Sequence, residues 1–418
     1  MSASSKPRQH WRASDLRAVT LLATEATSAV TRMAEGVHQS VWRTLGAPGG
    51  ATPTQARGLT GLIYKSITGV TQRVGSGLAA ALTRLEPLLQ RIEGQGDESF
   101  ERAAVLAALN GVMGDRLQAA GNPLATPMTL RLQNKVLDGT APSDAAQVTG
   151  KVLIVIHGLC MNERQWNSRH AGRPVNHAEM LSAALGYTPV YVRYNSGLHV
   201  SENGHLLARQ LEELARGWPV PVTEISVLTH SLGGLVMRSA LASATASALA
   251  WPGLLKNIVF LGTPHHGSPL ERAGNWVDGM LASTPYSRPF AKLGQLRSAG
   301  ITDLRYGHVL DADWQGHDRF RRHPDSRIPL PLPAGVACFT VAATTAAKRS
   351  PVANRLVGDG LVPLHSALGQ HDDPHRCLNF APDHQFIAYR TSHLALLGSP
   401  AVAQQLLIWL GKASGAAA

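Results

Sequence analysis

Apolar runs of strand length recur along the chain from residue 151, and segments of helix length separate them. After Lys151 the first run is continuous up to Ile156, as expected of a strand that is buried on both faces. The predicted strands of this kind are 151–156, 189–194, 224–229, 257–261 and 336–341, and the predicted helices are 176–186, 201–216, 232–247 and 400–411. Strands that alternate with helices predict an α/β fold, with a mainly parallel sheet and helices on both of its faces.

The chain before this alternation has a helical pattern. Apolar residues recur at helical spacing from Leu16 to Val41 and again from Leu59 to Leu89, and a further helical stretch covers 100–120. Two short alternating stretches then predict strands near 128–132 and 135–138. The predicted organisation is a helical N-terminal extension over 1–122, an α/β domain over 125–412 with a cap or lid insertion over 267–333, and a disordered tail over 413–418.

The basic excess of the chain lies in its N-terminal part. The formal net charge is +11, and residues 1–91 hold 11 Lys and Arg against 4 Asp and Glu. Over 58–91 basic residues occupy the polar positions of an amphipathic helical pattern. This predicts packing on the rest of the protein or on a second copy, or peripheral contact with a membrane or another lipid surface. The segment has no clustered Lys/Arg run and few aromatic residues, so no nucleic-acid partner is predicted.

The expected location is the cytoplasm. No apolar run reaches the about 20 residues that cross a bilayer, and the first residues lack the apolar core of a secretory signal. Three cysteines, Cys160, Cys338 and Cys377, have no C-x-x-C spacing. They predict reduced thiols rather than a disulfide framework or a zinc site. Peripheral attachment to the inner membrane stays open as an addition to this expectation.

A serine follows the predicted strand 224–229. The motif T-H-S-L-G-G at 229–234 leads directly into a helical pattern, so Ser231 stands in a tight turn between a strand and a helix. Such a turn holds the serine hydroxyl above the sheet edge. The usual pattern is G-x-S-x-G, and Thr229 replaces its first glycine. Ser231 is the candidate nucleophile; the alternative is a serine that only caps the helix.

A second motif, H-G-L-C at 157–160, follows the predicted strand 151–156. An oxyanion intermediate needs two backbone N–H donors, one from the residue after the nucleophile and one from a loop such as this. Leu232 and Leu159 are the two candidates. We interpret Cys160 as a packing residue, because no motif places a base beside it.

A serine nucleophile also needs a histidine base and a carboxylate that orients the base. The motif G-D-G-L-V-P places Asp359 in a loop after the last predicted strand, and S-H-L places His393 just before the last predicted helix. His365 and His384 are competing bases, but neither has this position before a helix. The chain order of Ser231, the acid and the base matches one of the three folds that use this geometry.

Together these motifs resemble the α/β-hydrolase superfamily, in particular bacterial lipases and esterases, including a group similar to the eukaryotic GPI inositol-deacylase. The motifs that carry the resemblance are H-G-L at 157–159, T-H-S-L-G-G at 229–234, L-G-T-P-H-H-G-S at 261–268, D-G-L-V-P at 359–363 and the segment around His393, which together span about residues 125–412.

The resemblance implies a serine carboxylic-ester hydrolase. Its implied catalytic residues are Ser231 as nucleophile, Asp359 as acid and His393 as base, with oxyanion donors at Leu159 and Leu232. It also places His265 and His266 beside the acyl pocket, and His230 is a third candidate for that pocket. No metal and no organic cofactor is expected.

The predicted function is hydrolysis of an ester or lipid substrate through an acyl-enzyme. Acyl transfer to another alcohol would use the same residues, and so would an intracellular polyester depolymerase that acts at granule surfaces. An alternative of a different class is a non-catalytic protein with the hydrolase fold that serves as a membrane or assembly module. The presence of Ser, Asp and His in the expected order favours an enzyme.

Overall fold

The structure is a computed structural model that describes residues 98, 100–137, 148–268, 297–319, 324–347 and 358–415. It comprises two units. One contains the described residues up to Arg102 together with Leu117–Ala125, and the other contains Ala103–Arg116 and the described residues from Thr126 onward. The predicted N-terminal helices before residue 98, with the basic pattern at 58–91, lie outside the described residues, as do residues 269–296 of the predicted cap.

Eight strands of the described residues form one sheet. They are β1 Thr129–Leu132, β2 Lys135–Val136, β3 Lys151–Ile156, β6 Thr188–Arg193, β7 Glu224–His230, β8 Leu255–Leu261, β9 Ala337–Thr344 and β10 Gln385–Tyr389; β4 Ser168–His170 and β5 Arg173–Val175 form a separate hairpin. The order across the sheet is β10-β9-β8-β7-β3-β6-β1-β2. The strands from β10 to β6 run parallel, whereas β1 pairs antiparallel with β6 and β2.

Helices connect these strands and cover the sheet. The described α-helices are α1 Phe100–Ala119, α2 His177–Leu185, α3 Val200–Gly217, α4 Leu232–Ala246, α5 Ala299–Tyr306, α6 Leu364–Ala367 and α7 Pro400–Gly415. The chain moves outward from β3 to β6 through α2 and then back past β3 to β7 through α3. Right-handed crossovers therefore place α2 and α3 on opposite faces of the sheet. In agreement, α3 packs on α4, and α2 packs on α7.

The centre of the sheet is the core of this unit. Val152 to Ile156 of β3 are fully buried, because β3 has helices on both faces and strands on both sides. The predicted α/β fold is confirmed, and the architecture is that of an α/β-hydrolase fold. Each predicted buried strand is present, with ends within a few residues of the prediction. No helix among the described residues combines the length and the apolar character needed to span a membrane.

The structure also differs from the sequence-based expectations at three places. β10 was not predicted, because an edge strand whose residues Gln385–Ile387 are only half-buried has a weak apolar pattern. No helix was located within the predicted cap or lid insertion over 267–333, whereas its described part contains the regular helix α5. The last helix continues to Gly415, so residues 413–415 of the predicted tail are helical, since alanine and serine are compatible with a helix, and residues 416–418 lie outside the described residues.

Candidate active site

Ser231 lies in the turn between β7 and α4, at the carboxyl edge of the sheet. Its backbone has φ 55° and ψ −124°, a conformation that residues other than glycine rarely adopt. Such strain costs about 1–3 kcal/mol and concentrates at functional sites. The Ser231 N–H donates to the Leu261 carbonyl at the end of β8 (2.8 Å), which fixes the turn against the neighbouring strand.

Two glycines after Ser231 allow α4 to begin this close to the sheet. A Cβ atom on Gly233 would lie 2.6 Å from the His157 carbonyl oxygen, and a Cβ on Gly234 would collide with Thr263 Oγ1. Thr229, in contrast, lies within regular β7, where its hydroxyl donates to the Val259 carbonyl (3.1 Å). The structure therefore explains why the first glycine of the usual motif is dispensable in this chain.

The structure pairs the predicted acid and base. His393 Nδ1 donates to Asp359 Oδ2 at 2.6 Å, and both side chains are almost fully buried. Asp359 Oδ1 accepts from the backbone N–H groups of Leu361 (2.9 Å) and Val362 (2.7 Å). The His393 N–H donates to the Asp359 carbonyl (3.0 Å). These bonds fix both the carboxylate and the imidazole tautomer whose Nε2 is unprotonated.

His393 lies beside the serine turn. His230, which precedes Ser231, donates from Nε2 to the His393 carbonyl (3.1 Å), and the two imidazole rings lie 4.6 Å apart. Gly262 packs so close that a Cβ there would lie 3.2 Å from His393 Nδ1. Ser231 Oγ and His393 Nε2 are both buried and have no hydrogen-bond partner among the described residues. Both atoms are thus available for proton transfer.

The loop after β3 brings the first oxyanion candidate to the same edge. Leu159 and Leu232 are fully buried, and no hydrogen-bond partner is found for either amide among the described residues. His157 anchors this loop, since its ring stacks on Tyr194 (4.3 Å) and its carbonyl accepts from the Tyr194 hydroxyl (2.8 Å). Burial raises the pKa of the neighbouring Cys160 to about 12, so this thiol stays protonated.

The three histidines predicted at the substrate pocket have different surroundings. His230 contacts His393, as described above. His265 packs edge-on against Phe260 (ring centroids 4.9 Å apart), and His266 donates its N–H to Ser366 Oγ (3.1 Å). His265 and His266 line one cavity, and neither Ser231 nor His393 is among its described lining residues. The structure thus brings only His230 into contact with the predicted base.

A second buried His–Asp pair was missed by the sequence analysis. His199 Nδ1 donates to Asp303 (3.0 Å to both oxygens), and Asp303 also accepts from His308 Nδ1 and from the Val200 N–H. The pair borders a cavity of about 160 Å³ that Trp314 also lines. His199 and Asp303 are 104 positions apart and lie in no motif, so the sequence holds no signal for the pair.

Known proteins match parts of this chain. A family model described as a domain of unknown function (DUF7379) matches residues 123–303. No curated protein matches the chain. Solved structures with a similar fold include the mature Bacillus licheniformis lipase BlEst2, at 17% identity and a TM-score of 0.40 over 68% of this chain and 98% of that one.

Two further solved structures have a similar fold. The Pyrococcus furiosus esterase Pf2001 is 13% identical, with a TM-score of 0.36 over 64% of this chain and 81% of its own. EstA from Clostridium botulinum is 12% identical, with a TM-score of 0.36 over 64% of this chain and 88% of its own. Similarity at this level does not indicate what the present chain does.

Proposed function

We propose that the protein is a serine carboxylic-ester hydrolase that acts through an acyl-enzyme. The observation that carries the proposal is that the His393–Asp359 pair lies beside the strained turn of Ser231, where His393 contacts His230, the residue before this serine. Ser231 Oγ and His393 Nε2 are both buried, and neither has a hydrogen-bond partner among the described residues. The α/β-hydrolase fold supports this chemistry only at the level of the fold.

The proposed reaction has two steps. In the first, His393 Nε2 takes the proton of Ser231 as its Oγ attacks the ester carbonyl, and the amides of Leu159 and Leu232 stabilise the oxyanion. Asp359 holds the Nδ1–H tautomer and stabilises the imidazolium. His393 then protonates the departing alcohol. In the second step His393 deprotonates a water, which attacks the acyl carbonyl carbon. The bond between this carbon and Ser231 Oγ then breaks, and His393 returns the proton to Oγ as the carboxylic acid leaves.

We further propose that part of 267–333 forms a cap over this site. The Ser231 side chain is fully buried, so an ester reaches it only after covering residues move. The described start of this insertion is tied to α5, because the Ser268 N–H donates to the Leu304 carbonyl (3.1 Å). The similarity to the GPI inositol-deacylase group and the lipid contact through 58–91 stay predictions.

Serine-dependent ester turnover tests the proposal. Purified protein is labelled with a fluorophosphonate and assayed on p-nitrophenyl esters from acetate to palmitate. Ser231→Ala should lose the label and lower kcat/KM at least about a thousandfold. The matched control is Ser201→Ala, which removes a buried hydroxyl beside the second His–Asp pair and should keep label and turnover.

Each outcome of this assay has a defined meaning. A peak at long acyl chains indicates a lipase with an extended acyl groove, and a peak at short chains indicates an esterase with a small pocket. Equal turnover by the native protein and Ser231→Ala contradicts the assignment of the nucleophile. Absence of both label and turnover in the native protein favours the non-catalytic alternative.

A further inference from the structure

A small basic cavity is lined in part by the loop that follows β8. Its charged and imidazole lining comes from five side chains, which are Arg238, Arg327, Arg376, His265 and His266. The cavity volume is about 20 Å³, which is room for one species of the size of a water molecule. None of these side chains has a role in the proposed mechanism.

Arg238 is the central feature of this cavity. The residue is 8% exposed, it donates from Nη2 to the Leu330 carbonyl (2.6 Å), and its Nε has no hydrogen-bond partner among the described residues. Burial lowers the pKa of Arg238 to about 10, which leaves the side chain charged at neutral pH. Among the described residues no carboxylate forms an ion pair with it. The charge of Asp313 raises the pKa of Arg238 by less than burial lowers it, so it offsets only part of the cost of burying this cation, and the site favours a further anion.

His265 lines the same cavity as Arg238. It is fully buried, and neither ring nitrogen has a hydrogen-bond partner among the described residues. Burial and the nearby charge of Arg238 lower its pKa well below the usual value, so the imidazole is neutral and offers one N–H donor. The pKa of the neighbouring His266 is lowered in the same way, to about 3.

The acidic groups around the cavity are already engaged. Asp325 forms ion pairs with Arg327 (2.7 Å) and Arg376 (3.3 Å). The Asp313 carboxylate accepts three backbone N–H bonds, from residues 309, 310 and 328. Asp373 is nearly half exposed and pairs with Arg376. Among the described residues Arg238 therefore has one direct acceptor, the Leu330 carbonyl, and the charge of Asp313 acts on it without an ion pair.

We propose that this cavity binds one small monovalent anion of the size of chloride, held by Arg238 and His265. The anion compensates the buried guanidinium and accepts the hydrogen bonds that the two side chains lack. A water molecule would accept the bonds but leave the charge, and a sulfate or phosphate ion exceeds the available space. A bound anion would link α4, which starts next to Ser231, to the loop that contains Gly262. Anion binding should therefore stabilise the edge of the sheet at which Ser231 lies.

Thermal unfolding of the full chain tests the proposal. The midpoint is measured against increasing sodium chloride and, at equal ionic strength, against sodium gluconate, whose anion is too large for the cavity. Chloride should raise Tm by about 2–3 °C for each tenfold increase above Kd, and gluconate should not. Arg238→Met and Arg238→Gln should lose the chloride-specific shift. Arg216→Gln, which removes an exposed arginine from α3, should keep it.

Two results would overturn the proposal. One is an equal Tm in chloride and gluconate, and the other is an undiminished chloride shift in the Arg238 variants; either means that the cavity holds only water. If the Arg238 variants do not fold, crystals of the native protein soaked in sodium bromide decide the question. An anomalous bromide peak between Arg238 and His265 supports the site, and its absence rejects it.

Discussion

Two buried His–Asp pairs in this protein have similar local geometry. His393 donates from Nδ1 to Asp359, and His199 donates from Nδ1 to Asp303, at 2.6 and 3.0 Å. Each carboxylate is 1% exposed. The pairs differ in what surrounds them, and that difference separates a candidate catalytic pair from a structural one.

The surroundings leave His393 with an available nitrogen and constrain His199. Trp314 stacks on the His199 ring (centroids 3.7 Å apart, planes 5° apart), and its Nε1 donates to the nearby Ser201 hydroxyl (3.0 Å). Asp303 also binds the Val200 N–H and so fixes the start of α3 to α5. The His393–Asp359 pair, beside the strained serine turn, therefore suits base catalysis better than the His199–Asp303 pair. We interpret the His199–Asp303 pair as a structural contact that holds the start of α3 to α5, and we call this contact the lock.

The largest expected effect compares the same change in both pairs. Asp359→Asn should lower ester turnover by about ten-thousandfold, because the imidazole loses its orientation and its counter-charge. Asp303→Asn should change kcat/KM by less than about tenfold in the folded protein. Steady-state kinetics on one p-nitrophenyl ester, with circular dichroism as a control for folding, provide the comparison. A greater loss of turnover in Asp303→Asn would reverse the two roles.

The sequence predicts one of these pairs and not the other. Ser231 and Asp359 were singled out because their motifs follow predicted strands, whose ends meet at one edge of a parallel sheet, and His393 because its motif precedes the last predicted helix. The partners His199 and Asp303 have no motif, and only the packing of α5 brings them together. For the same reason the sequence could not reveal the unpaired Arg238, since its surroundings come from distant segments.

The next largest expected effect is the loss of stability when the lock is removed. Asp303→Asn leaves His199 and His308 without their shared buried carboxylate and should lower the free energy of unfolding by about 3–5 kcal/mol. The matched control is Asp311→Asn, which alters the exposed His205–Asp311 pair and should cost less than about 1 kcal/mol. Urea denaturation measures both. Equal losses would mean that the His199–Asp303 pair is not a lock.

Acid should weaken the protein through a different set of residues. Burial lowers the pKa of five histidines, which are His157, His177, His230, His265 and His266. Below about pH 6.5 the unfolded chain binds protons at these positions and the folded chain does not. Each such histidine therefore removes up to about 1.4 kcal/mol of stability per pH unit of acidification. Urea denaturation should show a steep loss from neutral pH towards about pH 5, and constant stability over that range would contradict the neutral buried histidines.

The stability that the lock gains from His199 should depend on pH in the opposite direction. Burial lowers the pKa of His199, but the hydrogen bond and charge of Asp303 outweigh it and raise the pKa above 6.5. The stability contributed by protonated His199 is fully present below pH 6.5, and it is lost as the pH rises through the pKa of His199 in the folded protein. The pKa of Asp303 is lowered, so its contribution is lost only in strong acid. The cost of Asp303→Asn should thus be larger near about pH 6 than near about pH 9, and a cost that grows with pH would contradict the ion pair.

The smallest expected effect concerns the ring that covers His199. Trp314 stacks in parallel on this imidazole, whereas the ring of His230 is tilted by 47° against His393. A stacked indole favours a protonated imidazole by about 0.5–1 kcal/mol. Trp314→Leu should therefore lower the pKa of His199 and leave the titration of the other histidines unchanged. Histidine side-chain NMR across the pH range measures this directly, with Trp314→Phe as the variant that keeps a stacked ring. If Trp314→Leu and Trp314→Phe lower the pKa equally, the hydrogen bond to Ser201, rather than the stacked ring, sets the difference between the two pairs.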